Sequence, residues 1–140
     1  GAKASAIVLK KEFTDVEDLL SIDYTSAYST PSLDKLVRTF VYDRQGKGSF
    51  TVGDEFTANA PIRFETAITT QANWKIIDDT HLLLTTGTEQ MTVTIEASGK
   101  VAFTSETIEV NSPAYTRIGI SLKEQSKDGY IRLTMRTKQL

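Results

Sequence analysis

The sequence predicts an all-β fold: an antiparallel sandwich of two packed sheets, with roughly 10–11 strands and little or no helix. Three observations predict it. The first is alternation of apolar and polar residues with a period of two. Met91, Val93 and Ile95 alternate with Thr92, Thr94 and Glu96. Ile118, Ile120 and Leu122 alternate with Arg117, Gly119 and Ser121. Ile131, Leu133 and Met135 alternate with Tyr130, Arg132, Thr134 and Arg136. Each pattern describes a strand with one dry face and one wet face. The second observation is about twenty threonines, a residue that suits half-buried pleated surfaces better than helices. The third is turn chemistry recurring at intervals of roughly 8 to 14 residues, the rhythm of a sandwich or barrel.

The elements follow in order. Strands are expected near 5–12, 18–25, 35–43, 48–57, 62–70, 73–77, 81–85, 90–96, 100–105, 115–123 and 129–138. Gln45 to Gly48 closes a hairpin, and Asn59-Ala60-Pro61 is expected to separate two runs. Later turns are expected at Asp78-Asp79-Thr80, Thr86-Gly87-Thr88, Ser98-Gly99, Asn111-Ser112-Pro113 and Ser126-Lys127-Asp128-Gly129. Val16 to Leu20, with Asp15 as cap, is long enough for a single helical turn and no more.

The ribbon over 35–56 carries a charged pair in its middle. A turn centred on Gly46 sets Tyr42 opposite Phe50, Phe40 opposite Val52 and Arg38 opposite Asp54, all on one face. A two-residue turn at Gly46-Lys47 sets Arg38 against Glu55 instead, and the sequence alone leaves both registers open. An Arg–Asp pair beside aromatics favours partial burial, and ladder reinforcement is the preferred role for Arg38 and Asp54 over substrate contact.

Composition narrows the function classes. A chain of 140 residues is one domain by length, spanning 1–140, and large enough to bury a core. The net charge is −2 with both signs interspersed, so nucleic acid and anionic membrane are poor partners. No apolar run approaches the roughly 20 residues of a membrane helix. The absence of cysteine excludes a disulfide scaffold, a thiolate metal site and a cysteine nucleophile. No secretion signal is visible, and the chain opens on Gly1 like a trimmed product, so it is expected to be a piece of a longer protein.

Candidate site residues are few. Trp74, Tyr115 and Tyr130 are the candidate carbohydrate-stacking aromatics, although a lone Trp in an all-β chain more often serves a core or an interdomain seam. Tyr24, Tyr28, Phe40 and Tyr42 are better explained by packing. Asp78, Asp79 and His81 read as a polar turn, because adjacent aspartates point to opposite faces of an extended chain. Arg44, Lys47, Lys123, Lys127, Arg132 and Arg136 have acids interspersed among them and read as a solvated face. No nucleophile triad, phosphate loop or zinc spacing is present, and no cofactor is implied.

Three stretches taken together are more specific. Asp-Tyr-Thr-Ser-Ala-Tyr at 23–28, Val-Arg-Thr-Phe-Val-Tyr-Asp at 37–43 and Phe-Thr-Val-Gly-Asp-Glu-Phe at 50–56 resemble the C-terminal β-sandwich of heparinase II/III-like polysaccharide lyases. Pro61 to Thr70 with the following Trp74, and Tyr115 to Glu124, are similar to later parts of that domain. The resemblance runs from about Ala4 to Leu140.

It implies a modular, exported enzyme, periplasmic or extracellular, that cuts uronate-containing polysaccharide by β-elimination. It also implies an N-terminal helical toroid as partner of this domain in the same chain. The family's catalytic Tyr with His or Asn lies mainly in the toroid, and a further His comes from an early segment of the β region. This sequence holds one histidine, His81, whose surroundings do not match that catalytic His. One His also falls short of the His and Asp metal set that some members carry, so no metal site is expected. The domain alone is expected to be catalytically silent, with acidic polysaccharide as a further partner. A free-standing carbohydrate-binding module is the alternative reading.

Overall fold

The computed structural model describes residues 4–109 and 113–138. Eleven strands and one short 3-10 turn follow one another: β1 (Ile7–Phe13), β2 (Glu17–Asp23), the turn Thr25–Ala27, β3 (Leu33–Asp43), β4 (Ser49–Ile62), β5 (Glu65–Thr70), β6 (Asn73–Asp78), β7 (His81–Thr86), β8 (Glu89–Ala97), β9 (Val101–Ile108), β10 (Tyr115–Leu122) and β11 (Ser126–Lys138). They form two antiparallel sheets. The large sheet has eight strands in the order β1-β2-β3-β4-β11-β8-β7-β6, and the small sheet has three, β5-β10-β9. The architecture is the all-β sandwich that the period-two patterning predicts.

The core lies between the small sheet and one half of the large one. Ile118, Ile120 and Leu122 of β10 meet Phe56, Leu82, Val93, Ile95, Ile131 and Leu133 from the large sheet. These are the alternating apolar residues of the sequence, brought to one face by the pleat. Phe56 and Phe64 stack with ring centroids 4.6 Å apart, fastening the chain where it leaves β4 for β5. Gly129 is needed at a close approach. A Cβ there would sit 2.7 Å from Ser98 Oγ and 3.1 Å from the Phe56 ring.

The hairpin between β3 and β4 turns at Gln45–Gly48, with a hydrogen bond from Gly48 N–H to the Gln45 carbonyl at 2.9 Å. Gly46 and Gly48 both take positive φ, 60° and 75°, which only glycine adopts without cost. This turn sets Arg38 opposite Asp54, Phe40 opposite Val52 and Tyr42 opposite Phe50.

Three boundaries differ from the sequence reading. No turn forms at Asn59-Ala60-Pro61, because β4 runs unbroken to Ile62. The β11 ladder jumps there from Asp128↔Thr57 to Ser126↔Ile62, so no partner strand requires the N–H that Pro61 lacks. No helical turn forms over Val16 to Leu20. The Thr14 side chain instead accepts the Glu17 N–H at 2.9 Å and closes the bend between β1 and β2. Ser126 to Gly129 is strand, and the bend lies just before it, where Lys123 N–H donates to the Lys100 carbonyl. The expected Asn111-Ser112-Pro113 turn lies partly outside the described residues.

Candidate functional site

The most structured polar site grows from Asp23. Its carboxylate accepts the Thr25 N–H at 3.0 Å and the Thr25 hydroxyl at 2.6 Å. These bonds hold the Asp23 pKa below the usual carboxylate value, the hydroxyl contributing most. Thr25 Oγ1 in turn accepts the Leu36 N–H at 2.8 Å, and Tyr24 N–H donates to the Leu36 carbonyl. The short 3-10 turn is thereby pinned to β3, and the Tyr24 ring is aimed at β4.

Four donors converge on Asp54, which is 2% exposed. Arg38 grips it with both ends of its guanidinium, Nε to Oδ1 and Nη2 to Oδ2, each at 2.7 Å. Tyr24 Oη donates to Oδ1 at 2.9 Å, and Thr66 Oγ1, from the small sheet, donates to Oδ2 at 2.9 Å. A carboxylate offers about four acceptor positions, so this one is saturated. The Arg38 guanidinium also lies 5.3 Å from the Tyr24 ring centroid, and Tyr28 meets Tyr24 edge-on at 5.8 Å. Burial, reinforced by the Asp54 charge, raises the Tyr24 pKa well above that of a free phenol. The hydrogen bonds to Asp54 raise that of Arg38.

The protonation states follow from these shifts. Tyr24 stays a phenol and Arg38 stays a cation at any physiological pH. With every Asp54 lone pair engaged, the group has no vacancy for accepting a substrate proton.

A cavity of about 410 Å³ opens beside this cluster. Tyr24, Tyr28, Arg38 and Asp54 form one wall, and Arg63, Glu65, Thr66, Ala67 and Arg117 form the other. Arg117 is held by Glu65 at 2.7 Å. Arg63 is exposed and has no carboxylate within ion-pair distance among the described residues.

The other candidate residues lie apart from one another. Trp74 on β6 is paired with Leu84 and packs against the core. Tyr115 opens β10, opposite Ile108. Tyr130 stands on β11 opposite Glu55, with the Arg132 guanidinium 5.6 Å from its ring centroid. Asp78 and His81 close the β6–β7 hairpin. Asp78 accepts the Thr80 N–H at 2.8 Å and meets His81 Nδ1 at 2.8 Å. The Thr80 backbone bond is the main reason the Asp78 pKa lies below the ordinary value. Among the described residues, no three His, Cys, Asp or Glu side chains are placed to hold a metal ion.

Sequence reasoning missed Tyr24, Thr66 and Arg63 as neighbours of the Arg38–Asp54 rung. The one available signal was Asp23-Tyr24-Thr25, an acid two residues before a threonine, which is the spacing of a side-chain-capped turn.

Fold and site together define a two-layer sandwich of unequal sheets with an Arg–Asp–Tyr knot at its margin, closed around the buried Asp54. No protein-family model matches the chain, and no curated protein matches it. Solved structures do match in fold. The chain superposes on heparan sulfate lyase HepC from Pedobacter heparinus with a TM-score of 0.75 at 14% identity. It superposes on a heparinase III structure with a TM-score of 0.73 at 16% identity, and on the heparinase III BT4657 gene product with 0.71 at 12%. Each match covers 96–97% of this chain and 22% of the other. The fold of this chain is therefore that of a part, about a fifth, of these longer proteins.

Proposed function

We propose that this chain is the non-catalytic C-terminal β-sandwich domain, a single unit over 1–140, of a heparinase II/III-like polysaccharide lyase. In this reading the parent is exported to the periplasm or beyond and depolymerises a uronate-containing polysaccharide by β-elimination. The domain braces the catalytic helical toroid of the same chain and flanks the substrate cleft. The observation that carries the proposal is the match of nearly the whole chain to about a fifth of two heparinase III structures and of a heparan sulfate lyase structure.

The chemistry of the site supports a bracing role. β-Elimination needs a base for the C5 proton, an acid for the leaving oxygen and a group that neutralises the uronate carboxylate. Asp54 is saturated, Tyr24 is held protonated, and His81 sits at a hairpin tip on the far edge of the large sheet. We assign the Arg38–Asp54 pair a structural role, locking β3 to β4 and, through Thr66, the large sheet to the small one.

The test is production of unsaturated uronate, followed by its ultraviolet absorbance, from heparan sulfate and related polysaccharides. The full gene product is expected to generate it and the 140-residue chain is not. Product from the 140-residue chain, or a gene product without a helical region, overturns the proposal.

One observation favours the second reading, a carbohydrate-binding module. The cavity lined by Tyr28 and Arg63 has room for a sugar residue and presents a cation with no carboxylate partner among the described residues. Calorimetric titration of the 140-residue chain with acidic and neutral oligosaccharides tests it. Binding of acidic sugars that is lost in Arg63→Ala establishes the module, and silence across the set removes it.

A further inference from the structure

The two sheets do not match in extent, and the mismatch has a direction. Thr66 Oγ1 reaches Asp54, which places β5 over the Arg38–Asp54 rung of the large sheet. Leu122 of β10 lies against Gly129, whose partner on β4 is Phe56. The remainder of the small sheet therefore continues from β5, over β4, toward β11 and away from β3. On its other side β5 has no neighbouring strand among the described residues.

That side is a bare edge with an identifiable row of hydrogen-bonding groups. Leu122 N–H donates to the Phe64 carbonyl. In an antiparallel ladder the pairing groups then alternate: Thr66, Ile68 and Thr70 bond to β10, whereas the N–H and C=O of Glu65, Ala67 and Thr69 point outward. Glu65 and Ala67 line the 410 Å³ cavity, so the cavity is the slot alongside this edge.

Beyond the slot, the large sheet shows an apolar face. Ile22, Leu20, Phe40, Val52, Phe50 and Tyr42 are joined through direct cross-strand pairs to the same face as Arg38. None belongs to the core or packs against it. Phe40 and Phe50 stack at 6.4 Å, and Phe50 and Tyr42 are 39% and 46% exposed. An apolar face beside an unpaired strand is the arrangement that strand addition fills.

The remaining sheet edges are defended. β1 carries Lys10, Lys11 and Glu12, β6 carries Lys75 and Asp78, and β9 carries Glu106. Charges of this kind prevent edge pairing. β5 also carries one charge, Glu65, but it stands at the first position and is paired with Arg117, and the rest of the strand, Thr-Ala-Ile-Thr-Thr, has none, whereas Glu106 stands within β9.

We propose that β5 is paired in the parent protein by a further β-strand from the rest of the same polypeptide, whose inward-facing apolar side chains cover Leu20, Phe40, Phe50 and Val52. The matched structures have most of their length outside the region this chain covers. A strand supplied in cis acts at an effective concentration of about millimolar, well above what a second copy reaches in solution. This inference depends on the reading of the chain as one domain of a longer lyase.

Amide hydrogen exchange on the 140-residue chain and on the full gene product tests it. In the 140-residue chain, Ala67 and Thr69 are expected to exchange with the fastest strand amides, while Thr66 and Ile68 are protected. In the full protein, Ala67 and Thr69 should slow by roughly a hundredfold or more. Ala67→Pro removes only an outward N–H, so it should leave the 140-residue chain folded. In the full protein it should undo the protection of Thr69 and raise hydrophobic-dye binding. Equal, rapid exchange of Ala67 and Thr69 in both forms overturns the proposal. So does protection in the 140-residue chain that grows with its concentration, which assigns the edge to a second copy. Unsaturated-uronate production by the full protein bears on the lyase reading alone, so the two can fail separately.

Discussion

The two halves of the large sheet obey the same pleat and meet different fates. Under the small sheet, β4, β11, β8 and β7 present Phe56, Ile131, Leu133, Val93, Ile95 and Leu82, all closed off from water. Past the Arg38–Asp54 rung, β2 and β3 present Leu20, Ile22 and Phe40, which are only partly buried, and Tyr42, which is exposed. The residue types are comparable, and what differs is the presence of a second layer. Hydrophobic stabilisation scales with apolar area removed from water, so the same side chain contributes fully on one side of the rung and weakly on the other. The rung marks the boundary. A charged pair that would be costly in the dry half is tolerated where one partner is sealed and the other, Arg38, keeps contact with solvent.

The sharpest way to break the comparison is to remove a ring from each half. Phe56→Ala, in the dry half, should lower stability by about 3–5 kcal/mol, read as a shifted urea midpoint at unchanged slope. An effect as small as that of an exposed ring would show that the two halves do not differ.

The boundary itself is expected to come next. Arg38→Met leaves Asp54 buried with only neutral donors and should cost about 3 kcal/mol, the low end for a broken buried pair, because Tyr24 and Thr66 remain. Adding Asp54→Leu should recover much of that loss, since a well-packed apolar pair can replace a buried ionic one. Failure to recover would mean that the rung does more than compensate its own burial.

Tyr24→Phe should cost about 1.5 kcal/mol, the value of a hydrogen bond to a charged acceptor. It should also change the alkaline limb. The folded-state pKa of Tyr24 lies above its unfolded value of 10.0. The unfolded chain therefore gives up this proton first as pH rises. Stability from this group is complete below about pH 10 and declines above it. Above pH 10 the parent chain should lose stability faster than Tyr24→Phe, by about 1.4 kcal/mol per pH unit. Parallel alkaline limbs would show that Tyr24 ionises as freely when folded as when unfolded.

The smallest effect is expected on the open face. Phe40→Ser should cost the 140-residue chain about 1 kcal/mol, well below Phe56→Ala, because the ring is only partly buried and lies outside the core, and it should reduce hydrophobic-dye binding. A loss comparable to Phe56→Ala would mean that the open face is a second core.

Much of the fold was legible because the pleat writes its burial pattern into the sequence directly. The runs 91–95, 118–122 and 131–135 each name their buried face without reference to any partner. The boundaries that failed did so for local reasons. Pro61 signals a break, yet it sits where no partner requires its missing N–H. The site was legible only in part. The hairpin offered two registers, and the Arg38–Asp54 opposition is one of them. Tyr24 and Thr66 were hidden because they arrive from a separate turn and from the opposite sheet, separated from Asp54 by 30 and 12 residues.

The sequence by itself determined that this is a two-layer β protein, where most of its turns fall, and which face of the later strands is dry. These are consequences of short-range periodicity and of φ preferences at turn residues. Only the tertiary structure decided that the layers are unequal, that four donor groups from three residues on separate elements saturate Asp54, and that β5 ends the small sheet with an open slot beside it. Those features depend on which strands lie next to one another across the sandwich, and sheet order depends on long-range packing that no local pattern encodes.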